Sequence, residues 1–320
     1  MRAVITGGSG FVGKRLARAL VKKGYEVIVF SRRAKPQSAD GIKTIKVNYF
    51  DVEYLAKNLE GADIIFHLAA VLFANNSKEF EKGNALLTAN LVKAAALTKT
   101  VKHFVYQSSL AAAGPSKNIE NLIDETCPCA PVSDYGRTKL MGEVEVKKLP
   151  PKITYTILRA PTVYGGAEAG VSKISAWVKR GLMVNPSKKD MFFSFVYVGD
   201  LVDALVLAAT NESTKNGIFF ISENAVYTWE DFIKKLACAM GVKKPIILNL
   251  PPMLLRLAGF CYGNIAKITH TVPALNYDKV AEALTPGHWA CTSKKWVSLT
   301  NQKFLSLEEG LKETYKKHRI

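Results

Sequence analysis

A phenol and an ammonium group stand four residues apart near the middle of the chain, at Tyr135 and Lys139. On a helix, residues with this spacing lie on the same face, so both groups would point the same way. A free phenol has a pKa of about 10, which is too high for a base at neutral pH. A nearby positive charge favours the phenolate and lowers that pKa. We therefore predict that Tyr135 donates and accepts a proton and that Lys139 lowers its pKa.

A hydroxyl group is expected beside this pair. The run His103–Ser109 reads as a buried strand that ends in two serines, Ser108 and Ser109. Open α/β sheets bind their ligands at the carboxyl ends of the strands. We predict that Ser109 hydrogen-bonds a substrate oxygen and polarises it, with Ser108 as the neighbouring alternative.

A glycine-rich turn lies near the start of the chain, between a predicted strand and a helical pattern. Gly7, Gly10 and Gly13 follow the apolar run 2–6 at three-residue spacing. Such a turn lets backbone amides and a helix N-terminus approach a pyrophosphate, so the pattern predicts a dinucleotide cofactor. The predicted binding residues here are Gly7, Gly10, Phe11, Val12 and Gly13.

The residues after the second predicted strand bear on which cofactor binds. NAD sites usually carry an acidic residue there, which binds the hydroxyls of the adenosine ribose. This chain has Ser31, Arg32 and Arg33 instead. Two guanidinium groups can bind a 2′-phosphate through charge-assisted hydrogen bonds. We predict NADP, with NAD as the alternative in which both arginines only face solvent.

Strands and helices alternate over the first half of the chain. The predicted strands are 2–6, 26–30, 43–47, 63–68, 102–108 and 153–158, and the clearest helical patterns are 78–99 and 134–148. This alternation indicates the α/β class, with a doubly wound parallel sheet or Rossmann fold. We predict a dinucleotide-binding domain at 1–165, to which 193–222 returns. Residues 166–192 and 223–320 would form a smaller C-terminal cap, with the substrate between the two.

The composition argues against several classes of protein. The 320 residues include no run of about 18 uncharged apolar residues, so we expect no transmembrane segment, and we also expect no signal peptide. Five cysteines without zinc spacing predict no metal site and a reduced, cytoplasmic protein. The net charge of +17 comes without an aromatic-interleaved basic block, which indicates a lysine-rich surface rather than nucleic-acid binding. The apolar segment 251–262 is interpreted as pocket wall or core, with membrane-surface contact as the alternative.

Together these motifs resemble the extended short-chain dehydrogenase/reductase family, also called the NAD-dependent epimerase/dehydratase family, over nearly the whole chain. The matching residues are Thr6–Gly13, Asp51, His67–Ala70, Asn84, Thr88–Asn90, Ser108–Ser109, Tyr135, Lys139, Leu158–Arg159 and Val163–Gly165. The resemblance implies that Ser109, Tyr135 and Lys139 form a catalytic triad, of which Tyr135 and Lys139 also contact the cofactor. It further implies that Asp51 and Val52 contact the adenine of the cofactor and that Pro161 lies near the nicotinamide. The other implied cofactor contacts are Leu68, Ala69, Ala70, Val71 and Asn84.

Two positions depart from the nucleotide-sugar members of that family. Those members usually have an Asn at the position of Thr162, and an Arg that grips the substrate pyrophosphate at the position of Phe193. The segment Phe193–Asp200 is more similar to the 3β-hydroxysteroid dehydrogenase branch. We therefore predict substrate contacts from Thr162 and Phe193 in an apolar pocket.

The leading expectation is an NAD(P)-dependent oxidoreductase that transfers a hydride between the nicotinamide and a secondary alcohol or ketone. The first alternative is a nucleotide-sugar epimerase or dehydratase, in which the hydride returns to the substrate. The second is a cofactor-holding binding or assembly protein without turnover, which a complete triad argues against. A small-molecule substrate and a homodimer are the expected partners.

Overall fold

The structure is a computed structural model that describes residues 1–33, 37–166, 171–185, 191–249, 251, 253–254, 257 and 277–316. Most of the apolar segment 251–262 therefore lies outside the described residues, and its role stays a prediction. Its described members Pro251, Met253, Leu254 and Leu257 are exposed.

Strands of the described part are numbered in chain order. They are β1 (Arg2–Thr6), β2 (Glu26–Ser31), β3 (Gln37–Ala39), β4 (Ile42–Lys46), β5 (Ile64–His67), β6 (His103–Ser109), β7 (Thr154–Ala160), β8 (Thr162–Tyr164), β9 (Leu182–Asn185), β10 (Phe192–Phe193), β11 (Phe195–Tyr197), β12 (Gly217–Phe220), β13 (Tyr227–Thr228) and β14 (Ile246–Asn249).

The α-helices follow the same order. They are α1 (Phe11–Lys22), α2 (Val52–Leu59), α3 (Ser77–Phe80), α4 (Leu87–Leu97), α5 (Asp134–Val146), α6 (Val171–Lys179), α7 (Val198–Thr210), α8 (Trp229–Met240), α9 (Tyr277–Leu284), α10 (Lys294–Thr300) and α11 (Leu307–Lys316). A π-helical turn, Glu81–Leu86, joins α3 to α4 without a break.

The main sheet has eight strands in the order β12-β7-β6-β5-β1-β2-β4-β3. Neighbouring strands are parallel except the edge strand β3, which runs antiparallel to β4. The chain passes from β1 to β2 on one side and later to β5 on the other, so the direction of winding reverses at β1. Ligands of open α/β sheets bind at such a reversal. The predicted doubly wound parallel α/β fold is confirmed.

Helices cover both faces of this sheet because each presents an apolar stripe to it. Leu16 and Leu20 of α1 pack with Leu201 and Leu205 of α7 on one face. On the other face, the second core cluster buries residues of α2 and α4, among them Leu55 and Leu91. The central strands β1, β2, β5 and β6 are buried on both faces, which explains their nearly continuous apolar sequences.

A third apolar cluster lies in the later part of the chain. It joins Tyr164 of β8 and Phe195 of β11 to Phe232 of α8 and Leu311 of α11. Strand β11 pairs with β8, and the helix that follows it, α7, joins the first cluster against the sheet. The proposed division into a cofactor domain and a cap stays a prediction. No helix of the described segments is long and apolar enough to cross a bilayer.

Candidate active site

The turn after β1 is built for close approach of the backbone. Gly7 has φ +73°, and a Cβ there would lie 2.7 Å from the nitrogen of Ala69. A Cβ on Gly13 would lie 2.2 Å from the oxygen of Gly7. Helix α1 begins directly after Gly10 and has no acidic residue in its first turn. Its N-terminal amides are thus disposed toward an anion, and the cradle fits a dinucleotide pyrophosphate.

A cavity of about 960 Å³ lies along the carboxyl ends of the central strands. It runs from the glycine turn to the start of α5. Sequence-predicted residues in its wall are Gly7, Gly10, Phe11, Val12, Gly13, Arg32, Arg33, Leu68, Ala69, Ala70, Val71, Ser109, Tyr135, Lys139, Pro161, Thr162 and Phe193.

Three predicted cofactor contacts lie outside the cavity wall. Asp51 accepts the backbone N–H of Tyr54 at 2.9 Å and so caps α2, and Val52 packs against the second core cluster. Asn84 is only 1% exposed. Its amide oxygen accepts the N–H of Val71 at 2.7 Å, and its nitrogen donates to the Val71 carbonyl and to Thr138. Asn84 therefore stands behind the wall and fixes the loop after β5 against α5.

The three predicted catalytic groups come together at the start of α5. The hydroxyl of Ser133 accepts the N–H of Gly136 at 3.0 Å, which caps the helix just before Tyr135. Tyr135 is 9% exposed and hydrogen-bonded to Ser109. The Nζ of Lys139, one turn further, donates to the Gln107 carbonyl at 2.7 Å. The arrangement places a phenol, a hydroxyl and a buried ammonium at one end of the cavity.

The pKa of Tyr135 differs from the sequence expectation. Burial raises it to about 12, the hydrogen bond from Ser109 lowers it in part, and the charge of Glu282 raises it. Burial also lowers the pKa of Lys139 to about 7, which the charge of Glu143 opposes. The lowering expected from Lys139 together with a positive nicotinamide is not seen for the protein groups alone, where burial of the phenol dominates. A positively charged nicotinamide beside the phenol would favour the phenolate.

A buried ion pair supports the floor of the site. Glu143 of α5 accepts two hydrogen bonds from Arg159, Nε at 2.9 Å and Nη2 at 2.7 Å. The hydroxyl of Ser108 donates to the same carboxylate at 2.5 Å. The hydroxyl of Ser108 is thereby engaged with Glu143, although Ser108 and Ser109 both line the cavity. The sequence offered a signal for this network, since Glu143 follows Lys139 by one helical turn.

Part of the cavity wall is aromatic. Phe193, Trp229 and Trp289 line it, and the rings of Phe193 and Trp229 meet at 6.2 Å in an edge-to-face contact. Lys279 and Glu282 of α9 complete this part of the wall. Sequence reasoning identified only Phe193 here, since the other four residues lie in the irregular later part of the chain.

Arg32 and Arg33 lie in the wall at the other end, beyond β2. Both are exposed, and Tyr49 beside them donates its hydroxyl to the Phe30 carbonyl at 2.9 Å. Within the described wall the acidic residue is Glu282, which lies near α5. Among the described residues no cluster of His, Cys, Asp and Glu is suited to hold a metal ion.

Comparison with known proteins gives relatives over much of the chain. The uncharacterized protein y4nG of Sinorhizobium fredii is 32% identical over 212 residues, 65% of this chain and 53% of that protein, so the chain spans about half its length. Short-chain dehydrogenase/reductase family 42E member 1 of Xenopus laevis is 28% identical over 266 residues, 76% of this chain and 68% of that one. A ceramide reductase of Caulobacter vibrioides is 25% identical over 288 residues, 88% of this chain and 83% of the enzyme.

A solved structure, MoeE5 in complex with UDP-glucuronic acid and NAD, superposes with a TM-score of 0.77. It is 20% identical and covers 100% of this chain and 99% of its own, which shows the shared fold. The profile of the family described as NAD dependent epimerase/dehydratase matches residues 3–222. With a glycine turn and a helix N-terminus at one end of its cavity and Ser109, Tyr135 and Lys139 at the other, the chain belongs to the NAD-dependent epimerase/dehydratase family and is an enzyme of the extended short-chain dehydrogenase/reductase type.

Proposed function

We propose that this enzyme transfers a hydride between NADP(H) and an apolar secondary alcohol or ketone. The observation that carries the proposal is the aromatic wall of Phe193, Trp229 and Trp289 facing the start of α5. A nucleotide sugar would bring two phosphate charges, which need cations or amide donors when they leave water. The cation in this part of the described wall, Lys279, is paired with Glu282 at 2.7 Å. An apolar substrate suits these surroundings better.

In this proposal the bound nicotinamide cofactor supplies or accepts the hydride. Ser109 donates a hydrogen bond to the substrate oxygen and orients it. In reduction Tyr135 gives that oxygen its proton, and in oxidation it takes the proton back. Lys139 holds the cofactor ribose, and its positive charge opposes protonation of the phenolate. The indole N–H of Trp229, buried without a partner among the described residues, offers a donor to a polar atom of the substrate.

The remaining site assignments are part of the same proposal. Backbone amides at Gly10–Gly13 hold the pyrophosphate, and Arg32 and Arg33 bind the 2′-phosphate. Pro161 lies against the nicotinamide and Thr162 beside the substrate. The cap, 166–192 and 223–320, supplies Trp229 and Trp289 of the aromatic wall, and Phe193 comes from the segment 193–222 that returns to the cofactor domain. A homodimer and a cytoplasmic location stay predictions, which light scattering and cell fractionation would check.

The test is a panel of secondary alcohols and ketones of increasing apolar size, followed by the absorbance of NADPH. We expect turnover that improves with apolar size, and no binding of UDP or dTDP sugars by calorimetry in the presence of NADP. A Phe193→Arg variant provides the matched control, because it restores a cation at this position and should weaken binding of the apolar substrate. Micromolar binding of any of these nucleotide sugars to the unmodified enzyme would refute the apolar-substrate proposal.

A nucleotide-sugar epimerase or dehydratase is the second candidate. The name of the family and the UDP-glucuronic acid bound by MoeE5 favour it. Such an enzyme returns the hydride to its substrate, so the amount of NADPH would not change during turnover. Conversion of a UDP sugar without net cofactor consumption would establish this candidate in place of the first.

A further inference from the structure

Helix α9 reaches from the later part of the chain to the first turn of α5. One carboxylate oxygen of Asp278 accepts the backbone N–H of Asp134 at 2.6 Å, and the other accepts that of Tyr135 at 3.4 Å. The first amides of a helix have no partner inside it, and a carboxylate there also meets the positive end of the helix dipole. Asp278 therefore anchors α9 on the backbone of the residue that carries the phenol.

Glu282 lies one turn further along α9. Its Oε1 accepts the hydroxyl of Ser133 at 2.7 Å, and its Oε2 pairs with the Nζ of Lys279 at 2.7 Å. The Nζ of Lys279 lies 4.9 Å from the centre of the Tyr135 ring. Both side chains belong to the cavity wall, and both are largely buried, with 15% of Glu282 and 27% of Lys279 exposed. A carboxylate and an ammonium thus face the phenol from a helix distant in sequence.

We propose that Glu282 and Lys279 are positioning residues that set how readily Tyr135 gives up its proton. The proposal rests on the acid–base role assigned to Tyr135 under the proposed function. In this proposal the Glu282–Lys279 pair acts on Tyr135 in addition to Lys139. Full turnover then requires that α9 is docked on α5. Helix α9 also forms part of the cavity wall. The acidity of Tyr135 would therefore depend on whether the substrate side of the cavity is assembled.

The sign of each contribution follows from the groups that face Tyr135. Among the residues that the structure describes, these are Lys139 on its own helix, Ser109 at the end of β6, and Lys279 with Glu282 on α9, while Asp278 binds the backbone. Phe80 and Trp289 pack nearby and carry no charge. The charge of Glu282 raises the pKa of Tyr135. Removal of that charge should lower the pKa, whereas removal of the Lys279 ammonium should leave Glu282 uncompensated and raise it.

The experiment measures the titration of Tyr135 directly in the full chain with saturating NADP⁺. The ultraviolet absorbance of tyrosinate is followed against pH, and each protein is compared with its own Tyr135→Phe counterpart, so that the difference isolates this phenol. We expect Glu282→Gln to lower the midpoint by about one pH unit and Lys279→Gln to raise it. Glu145→Gln is the matched control, since it breaks a Glu–Lys pair near the far end of α5, 2.6 Å between Glu145 and Lys148, and should leave the midpoint unchanged.

Opposite shifts would support the proposal, because loss of structure alone would move both midpoints the same way. Equal shifts of one sign, or no shift, would overturn it. If Glu282→Gln fails to fold, as thermal unfolding would show, the direction of the Lys279→Gln shift decides. Activity of the Tyr135→Phe enzyme is a separate readout. Full activity there would refute the role of Tyr135 under the proposed function, whereas the titration tests only the effect of α9.

Discussion

Replacement of Tyr135 by Phe should remove the transferable proton and leave the packing intact. The ring is 9% exposed, sits 6.4 Å from the ring of Phe80 and packs beside Ala111, and all these contacts survive in Phe. The lost group is the hydroxyl with its bond to Ser109. A neutral hydrogen bond contributes about 1 kcal/mol, so the stability of the fold and the affinity for NADPH should each change by less than about tenfold in equilibrium constant.

Turnover should respond far more strongly than stability. Loss of general acid–base catalysis costs at least about a hundredfold in rate, which corresponds to about 2.7 kcal/mol of barrier. We would measure kcat and KM with the best ketone of the panel, NADPH affinity by fluorescence, and unfolding by denaturant. Tyr25→Phe is the control, because Tyr25 is a partly buried phenol outside the cavity wall and its loss should leave turnover intact. An active, folded Tyr135→Phe enzyme would show that another group carries the proton.

Three further predictions follow from the surrounding structure. The unmodified enzyme should bind NADPH at least about tenfold more tightly than NADH, since a hydrogen bond to a charged group contributes about 1.5–3 kcal/mol. Joint replacement of Arg32 and Arg33 by Ala should erase this preference. Equal affinities in the unmodified enzyme would contradict the prediction. Glu143→Gln should destabilise the fold by about 3–5 kcal/mol in denaturant titration, because it leaves the guanidinium of Arg159 buried without a counter-charge; an unchanged midpoint would argue against the buried pair. Burial raises the pKa of Glu223 from 4.5 to about 7, so the folded state binds its proton more tightly and stability falls as pH rises through that window. Glu223→Gln should therefore stabilise the fold by about 1 kcal/mol or more at pH 8 and much less at pH 5, and an equal effect at both pH values would refute this reading.

Local patterns predicted the sheet well because each signal lies within a few neighbouring residues. The six strands predicted from apolar runs coincide with β1, β2, β4, β5, β6 and β7 to within two residues at each end. The glycine turn and the Tyr135–Lys139 spacing are equally local. Both edge strands, β3 and β12, were missed, because each depends on pairing with another strand: β3 with β4, and β12 with β7, which is distant from it in the sequence.

The substrate side could not be read from the sequence in the same way. Trp289 meets Phe193 through a β-bridge, and Glu282 meets Ser133 across 149 positions of the chain. No periodicity encodes such pairings. The raised pKa of Tyr135 was not predicted for a related reason: it is governed by burial, which only the assembled fold determines. Asn84 was identified as important, yet its contacts with Val71 and Thr138 depend on how three elements pack.

The π-helical turn Glu81–Leu86 fixes the number of residues in this part of the chain. A π turn holds one more residue than an α turn of the same rise, and here the widened turn contains Asn84, whose side chain reaches Val71. Deletion of one residue would restore a regular helix but rotate everything before it by about 100° relative to α4. Asn84 and Phe80 could not then both keep their present partners. In relatives of this protein we therefore expect substitutions to be tolerated at the exposed positions of this helix and insertions or deletions to be almost absent from it.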